Sequence, residues 1–147
     1  MGKVGDRLRA RTVDYSRNLD EVIRRSALEV GRRIIDRTPI KTGKARSNWN
    51  ISLGAPDITT RDATAEHYLH GAEDLPQPGV GKLSVYDEIP VMISNSLPYA
   101  PKLERGSSTQ SPSGMVRITA MEFPTIVNAI ARRVFGTRNI VSGGFDD

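Results

Sequence analysis

The stretch Asn18-Leu-Asp-Glu-Val-Ile-Arg-Arg-Ser-Ala-Leu-Glu-Val-Gly-Arg-Arg-Ile-Ile-Asp-Arg37 places apolar residues at Leu19, Val22, Ile23, Ala27, Val30 and Ile34. Spacings of three and four bring these six to one side of a helix. Asn18 followed by Glu21 has the form of a capping box, and Pro39 pushes Thr38 out of the helical region. The spacing therefore predicts a helix over 18–37, about 28 Å long. A weaker recurrence through Leu8, Thr12 and Tyr15 would extend it backwards, since no Gly or Pro intervenes between Asp6 and Val30.

Beyond this helix, Thr38-Pro39-Ile40-Lys41-Thr42-Gly43-Lys44 combines a fixed backbone angle with a permissive one and reads as a tight turn. Asn48 to Leu53 alternates, putting Trp49, Ile51 and Leu53 on one face of a half-buried strand. Gly54 to Thr60 reads as loop, Asp62 to Asp74 hints at a short helix, and Leu75 to Gly81 is a Pro/Gly loop. Strands follow around Lys82–Tyr86 and within Ile89–Asn95. Arg105 to Gly114, with four Ser, two Gly and one Pro, is too polar to order itself and is expected to order against a neighbour. Val116, Ala120, Phe123, Ile126, Val127, Ile130 and Val134 resume helical spacing, with Pro124 predicting a bend or two abutting pieces and Gly136 a stop.

The order helix, strands, helix gives an α+β fold: an antiparallel β-sheet with the long N-terminal helix and the C-terminal helix packed on one face. Residues 1–15 form an arm or helix extension, 16–136 a single domain, and 137–147 a flexible tail carrying Ile140, Val141 and Phe145.

A chain of 147 residues supports one core, and its 37% hydrophobic and 26% charged residues exclude disordered and collagen-like classes. The absence of Cys removes disulfides and thiol chemistry. No stretch approaches the roughly 20 apolar residues that span a bilayer, and no signal peptide is visible, so the expected setting is intracellular and without a membrane. The formal charge of +4 is segregated: net +7 over residues 1–46, −5 over 47–97 and +2 over 98–147. Sixteen of the 21 basic residues are Arg, which favours nucleic acid or an acidic protein surface as partner. The pairs Arg24-Arg25 and Arg32-Arg33 make a DNA-binding helix the alternative reading. Glu21, Glu29 and Asp36 stand three or four residues from them, however, and would neutralise much of that charge within the helix.

Catalytic chemistry is poorly represented. His67 and His70, with Glu66, Glu73 and Asp74 nearby, lack a third ligand at a recurring metal-site spacing. Gly106-Ser107-Ser108 is not a nucleophile elbow, and Gly79-Val80-Gly81-Lys82 is too short for a phosphate cradle. Glu73-Asp74 and Asp87-Glu88 are sequence neighbours that a strand would point to opposite faces. Eight aromatics, with Trp49, Phe123 and Phe135 on faces assigned to the core, leave no stacking platform for single strands. The expectation is a non-enzymatic protein without cofactor or metal.

Two stretches stand out together: Arg37-Thr38-Pro39-Ile40-Lys41-Thr42-Gly43-Lys44-Ala45-Arg46-Ser47-Asn48-Trp49 and Ile93-Ser94-Asn95-Ser96-Leu97-Pro98-Tyr99-Ala100-Pro101-Lys102-Leu103-Glu104-Arg105-Gly106. Over residues 16–135 the chain resembles the tail-completion, neck or head-tail joining proteins of long-tailed bacteriophages, also called minor tail proteins. Those proteins combine a long N-terminal helix, a Thr-Pro-x-x-Thr-Gly turn, an Asn-x-x-Pro-Tyr-Ala segment ending in Leu-Glu-x-Gly, a Ser/Gly loop and a C-terminal helix.

The resemblance implies a non-enzymatic virion component, made in the host cytoplasm. It would form a homo-oligomeric ring, expected to be a hexamer, at the head-proximal end of the tail. Its implied partners are copies of itself, a tail terminator or tail tube protein, and the head-tail connector or stopper proteins, with genomic DNA passing through its channel. The motif residues Thr38, Pro39, Thr42, Gly43, Arg46, Trp49, Asn95, Pro98, Tyr99, Ala100, Leu103, Glu104 and Gly106 are expected chiefly to maintain the fold. Tyr99 would bury its ring, and Glu104 would meet Arg46. Candidate subunit or partner contacts are Arg25, Arg32, Arg46, Glu104, Arg105, Ser107, Ser108, Met115, Ile140 and Phe145.

Overall fold

The computed structural model describes residues 2–62 and 87–136. The expected helix at 62–74, the 75–81 loop, the strand at 82–86, the two His residues, and the tail with Ile140 and Phe145 lie outside the described residues.

The first element, α1, spans Lys3–Arg37, 35 residues and about 52 Å. The expected start at Asn18 is therefore corrected. Asn18 is buried in mid-helix, whereas a capping residue needs non-helical backbone angles. Glu21 is engaged instead by Arg24 and Arg25. The backward spacing through Leu8, Thr12 and Tyr15 is helical, and the Thr12 hydroxyl donates to the Leu8 carbonyl at 2.9 Å, within the helix. Thr38 ends α1 in an extended conformation immediately before Pro39.

A short α2, Lys44–Ser47, leads into β1, Asn50–Leu53, which pairs antiparallel with β2, Val91–Ser94. Both strands are shorter than the alternation suggested. Their register sets Ile51 opposite Ile93 and Leu53 opposite Val91 on one face, with Asn50 opposite Ser94 on the other. Ile34, Ile35, Trp49, Ile51 and Met115 form the core, with Leu28, Val30, Val91, Ile93 and Leu103 packed around it. Leu103 also joins a smaller cluster of Ala45, Leu97 and Ala100.

Residues 57–61 cover the polar face. Asn50 donates to the Thr59 carbonyl at 3.0 Å, and Ser94 donates to that of Asp57 at 2.8 Å. Asn48 and Arg61 exchange reciprocal hydrogen bonds. The Arg61 guanidinium donates to the carbonyls of Ser47 and Trp49 and to Asn50 Oδ1, at 2.7–3.1 Å. Asn48 and Asn50 are fully buried, so these bonds satisfy groups that water does not reach.

After α3, Ala100–Glu104, comes α4, Val116–Gly136, antiparallel along α1: Arg37 donates to Thr119 at one end and the Phe135 ring meets Tyr15 at the other. Pro124 lies inside α4 without dividing it, correcting the two-piece expectation. Its ring deprives the Ala120 carbonyl of an intrahelical donor, but both residues are exposed and water can replace it. Phe123 is 48% exposed rather than core. Among the described residues no helix is long and apolar enough to cross a membrane.

The junction at the end of α1 turns on Thr38. Its buried hydroxyl donates to the Ile34 carbonyl at 2.7 Å and accepts from Trp49 Nε1 at 2.8 Å. Thr38→Val leaves the indole N–H orphaned and is expected to cost about 1–3 kcal/mol, whereas Thr38→Ser retains most of the stability. Urea unfolding midpoints at unchanged m-value distinguish the two.

Candidate functional site

The two sequence stretches with the most distinctive residues meet in space. Asn95 Nδ2 donates to the Ala45 carbonyl at 2.8 Å, and its Oδ1 accepts the Leu97 N–H at 3.2 Å. Thus the 95–106 segment hangs on the helix that follows the Thr-Pro turn. Pro39, Gly43, Ala45 and Trp49 are buried, as is Ala100; Thr42 and Pro98 are exposed. Tyr99 is 40% exposed, which corrects its expected burial. Between the stretches lies a surface pocket of about 510 Å³, lined by Ile40, Thr42, Tyr99, Leu103, Ser107 and Ser108 among others. Ile40 and Tyr99 expose large apolar surface there.

Glu104 does not meet Arg46. Its carboxylate accepts three successive backbone N–H groups, those of Met115, Val116 and Arg117, each at 2.9 Å. These are orphan donors of the first turn of α4, where the helix dipole favours negative charge. Burial pushes the Glu104 carboxyl up, but these N–H groups together hold it below its ordinary value. Arg46 instead donates to the carbonyls of Asp36 at 2.9 Å and Thr38 at 3.3 Å, at the end of α1. Each charge thus caps a helix end of opposite partial sign.

The loop from Arg105 to Gly114 is ordered within the subunit, contrary to expectation. Gln110 accepts the Ile40 N–H at 2.8 Å and returns a bond to the Ile40 carbonyl at 3.1 Å. Ser111 donates to the Gly114 carbonyl at 2.8 Å. Gly106 and Gly114 have φ of +85° and +82°, and a Cβ on Gly106 would collide with the Pro112 backbone, so only glycine fits there. Met115, expected at an interface, is 1% exposed and belongs to the core. Arg105 and Ser107 are exposed, and the Ser108 hydroxyl accepts the Gln110 N–H at 3.3 Å.

The Arg pairs of α1 are engaged in ion pairs. Glu21 holds Arg24 and Arg25; Arg32 bridges Glu29 and Asp36 at 2.8 and 2.7 Å. Arg33 and Arg37 converge on Glu122 of α4 at 2.7 and 2.6 Å. The guanidinium of Arg32, then that of Arg33, holds the Glu29 carboxyl at about 2, and Arg37 and Arg33 hold that of Glu122 at about 2. Sequence reading missed the Glu122 clamp, the Gln110 latch and Arg61. Arg61 had one signal: it is one of only two basic residues in the acidic block 47–97.

Two other surfaces are uncovered among the described residues. Val4, Leu8, Val13 and Tyr15 on the N-terminal part of α1 are 55–69% exposed. Between α1, β2 and α4 lies an apolar groove of about 480 Å³. Among the described residues no cluster of three His, Asp or Glu side chains is placed to hold a metal ion. A scan against family models, a search of curated proteins and a search of solved structures each returned no match.

Two measurements test these assignments. Glu104→Ala is expected to destabilise the protein by about 1–2 kcal/mol, read by urea unfolding, with Glu104→Gln intermediate. The Glu122 carboxyl lies below its ordinary 4.5 in the folded state, so its stabilisation is complete above that pH and is lost as pH falls towards 2. Glu122→Gln should therefore reduce the drop in Tm between about pH 5 and pH 2 while lowering Tm at neutral pH.

Proposed function

We propose that this chain is a non-enzymatic structural subunit of a bacteriophage neck, a tail-completion or head-tail joining protein that assembles as a ring. One observation carries the reading. The residues of the two phage-like stretches build a mutually bonded frame, while among the described residues three features stay uncovered: a basic helical arm with exposed Val4, Leu8 and Tyr15, an apolar groove, and a pocket of mixed polar and apolar lining beside Tyr99. Such surfaces in a small chain suit association with copies and partners better than turnover of a small molecule.

The frame explains how the stretches serve assembly. Thr38 and Trp49 lock the end of α1 to the strand, and Arg46 and Glu104 cap the ends of α1 and α4. Interface elements mounted on capped, mutually bonded helices keep their relative positions when subunits meet, which lowers the ordering cost of association. Head-to-tail contacts that close make a ring, and a ring of this kind leaves an axial opening through which DNA passes. The pocket between the two stretches, with Tyr99, Ser107 and Ser108 at its border, is the proposed docking place for a segment of an adjoining neck or tail protein.

DNA binding through Arg24, Arg25, Arg32 and Arg33 is the competing reading, and it requires those side chains to leave their carboxylate partners. The isolated protein is accordingly expected to bind duplex DNA weakly; a tight complex that weakens steeply with salt would favour the competing reading. Electron microscopy of particles made without this protein tests the proposal directly. Filled heads separated from finished tails are expected, and normal joined virions would overturn it.

A further inference from the structure

We propose that the N-terminal arm of α1, residues 3–17, docks in the α1–β2–α4 groove of a second copy of this chain. Resting on the ring reading above, this inference names the surfaces that meet.

The groove is lined by Val22, Ala27, Val30, Ile93, Phe123 and Val127, and among the described residues nothing fills it. On the arm, Val4, Leu8 and Tyr15 recur at spacings of four and seven and share one helical face, which α4 leaves uncovered beyond its contact between Phe135 and Tyr15. Lys3 to Tyr15 rises about 18 Å, so the arm is long enough to lay several side chains into a groove.

Covalent geometry decides that the match is between copies. Arm and groove wall belong to the same unbroken helix, Lys3–Arg37, with Leu8 and Ala27 about 28 Å apart along its axis. One continuous helix cannot fold its first half into a groove made by its second. Each copy therefore presents a plug at one end and a socket at the other, which is a heterologous, head-to-tail contact.

One further feature matches. The arm carries Lys3, Arg7, Arg9, Arg11 and Arg17 against Asp6 and Asp14. Beside the groove's β2 border, formed by Ile89 and Pro90, stand the exposed Asp87 and Glu88.

The chain has no Cys, so single-cysteine variants report contacts cleanly. Full-length Leu8→Cys and Phe123→Cys proteins are mixed and treated with a short bis-maleimide. The expected main product is the mixed 8–123 dimer, and Val4→Asp in the same arm lowers its yield at least about tenfold. Val4, Leu8 and Phe123 are each about half exposed or more, and circular dichroism confirms the fold of each variant before cross-linking. Dominance of the 8–8 product, absence of any cross-link, or a yield indifferent to Val4→Asp would overturn the proposal. Cross-linking together with normal virions lacking the protein leaves the docking standing and removes the neck reading; no 8–123 product together with unjoined heads and tails does the reverse.

Discussion

The hydroxyl of Thr38 holds the fold at its tightest point. It donates to the Ile34 carbonyl in the last turn of α1 and accepts the indole N–H of Trp49, so one buried oxygen fixes where the helix stops and where the strand begins. Trp49 and Ile51 then lie against Ile34 and Ile35, and Met115 at the foot of α4 closes the same cluster. Pro39 forces the helix to end there, and Arg46 occupies the carbonyls that the ending exposes. Removing the hydroxyl would leave two buried polar groups without their partner at the centre of this junction.

Charge acts in two different ways along the basic first third of the chain. Between Glu21 and Arg37 the guanidinium groups are held by carboxylates three or four residues away, and exposed pairs of that kind contribute little individually. The Glu122 clamp differs because it joins two helices: Arg33 and Arg37 reach across to α4 from the turn that carries Ile34 and Ile35. The arm carries Arg7, Arg9, Arg11 and Arg17 beside the exposed Val4, Leu8 and Tyr15. The net charge of the segment thus conceals a self-neutralised half and a half suited to meeting an acidic surface.

What the amino-acid order reveals depends on how local the governing physics is. Period and breakers placed the end of α1, the alternation of β1 and the body of α4, because each follows from neighbours within a few residues. The start of α1 was misplaced because Asn18 and Glu21 satisfy a capping pattern equally well inside a helix, where Glu21 simply finds arginines. The partner of Glu104 was misjudged for another reason: a helix N-terminus is a strong anion receptor made of backbone N–H groups, which have no letter in a sequence. Arg61 and Gln110 were hidden likewise, since both hold main-chain groups of distant residues. The Ser/Gly loop looked too polar to order, but the glycine contacts and the Gln110 latch supply what an apolar core would otherwise provide.

The proposed docking of the α1 arm into the groove of a second copy predicts that the chain associates with itself in a definite stoichiometry. Sedimentation velocity of the full-length protein over a wide concentration range measures this directly. A discrete closed oligomer, expected to be a hexamer, is predicted to grow at the expense of monomer as concentration rises. A single monomeric species at every concentration would contradict it.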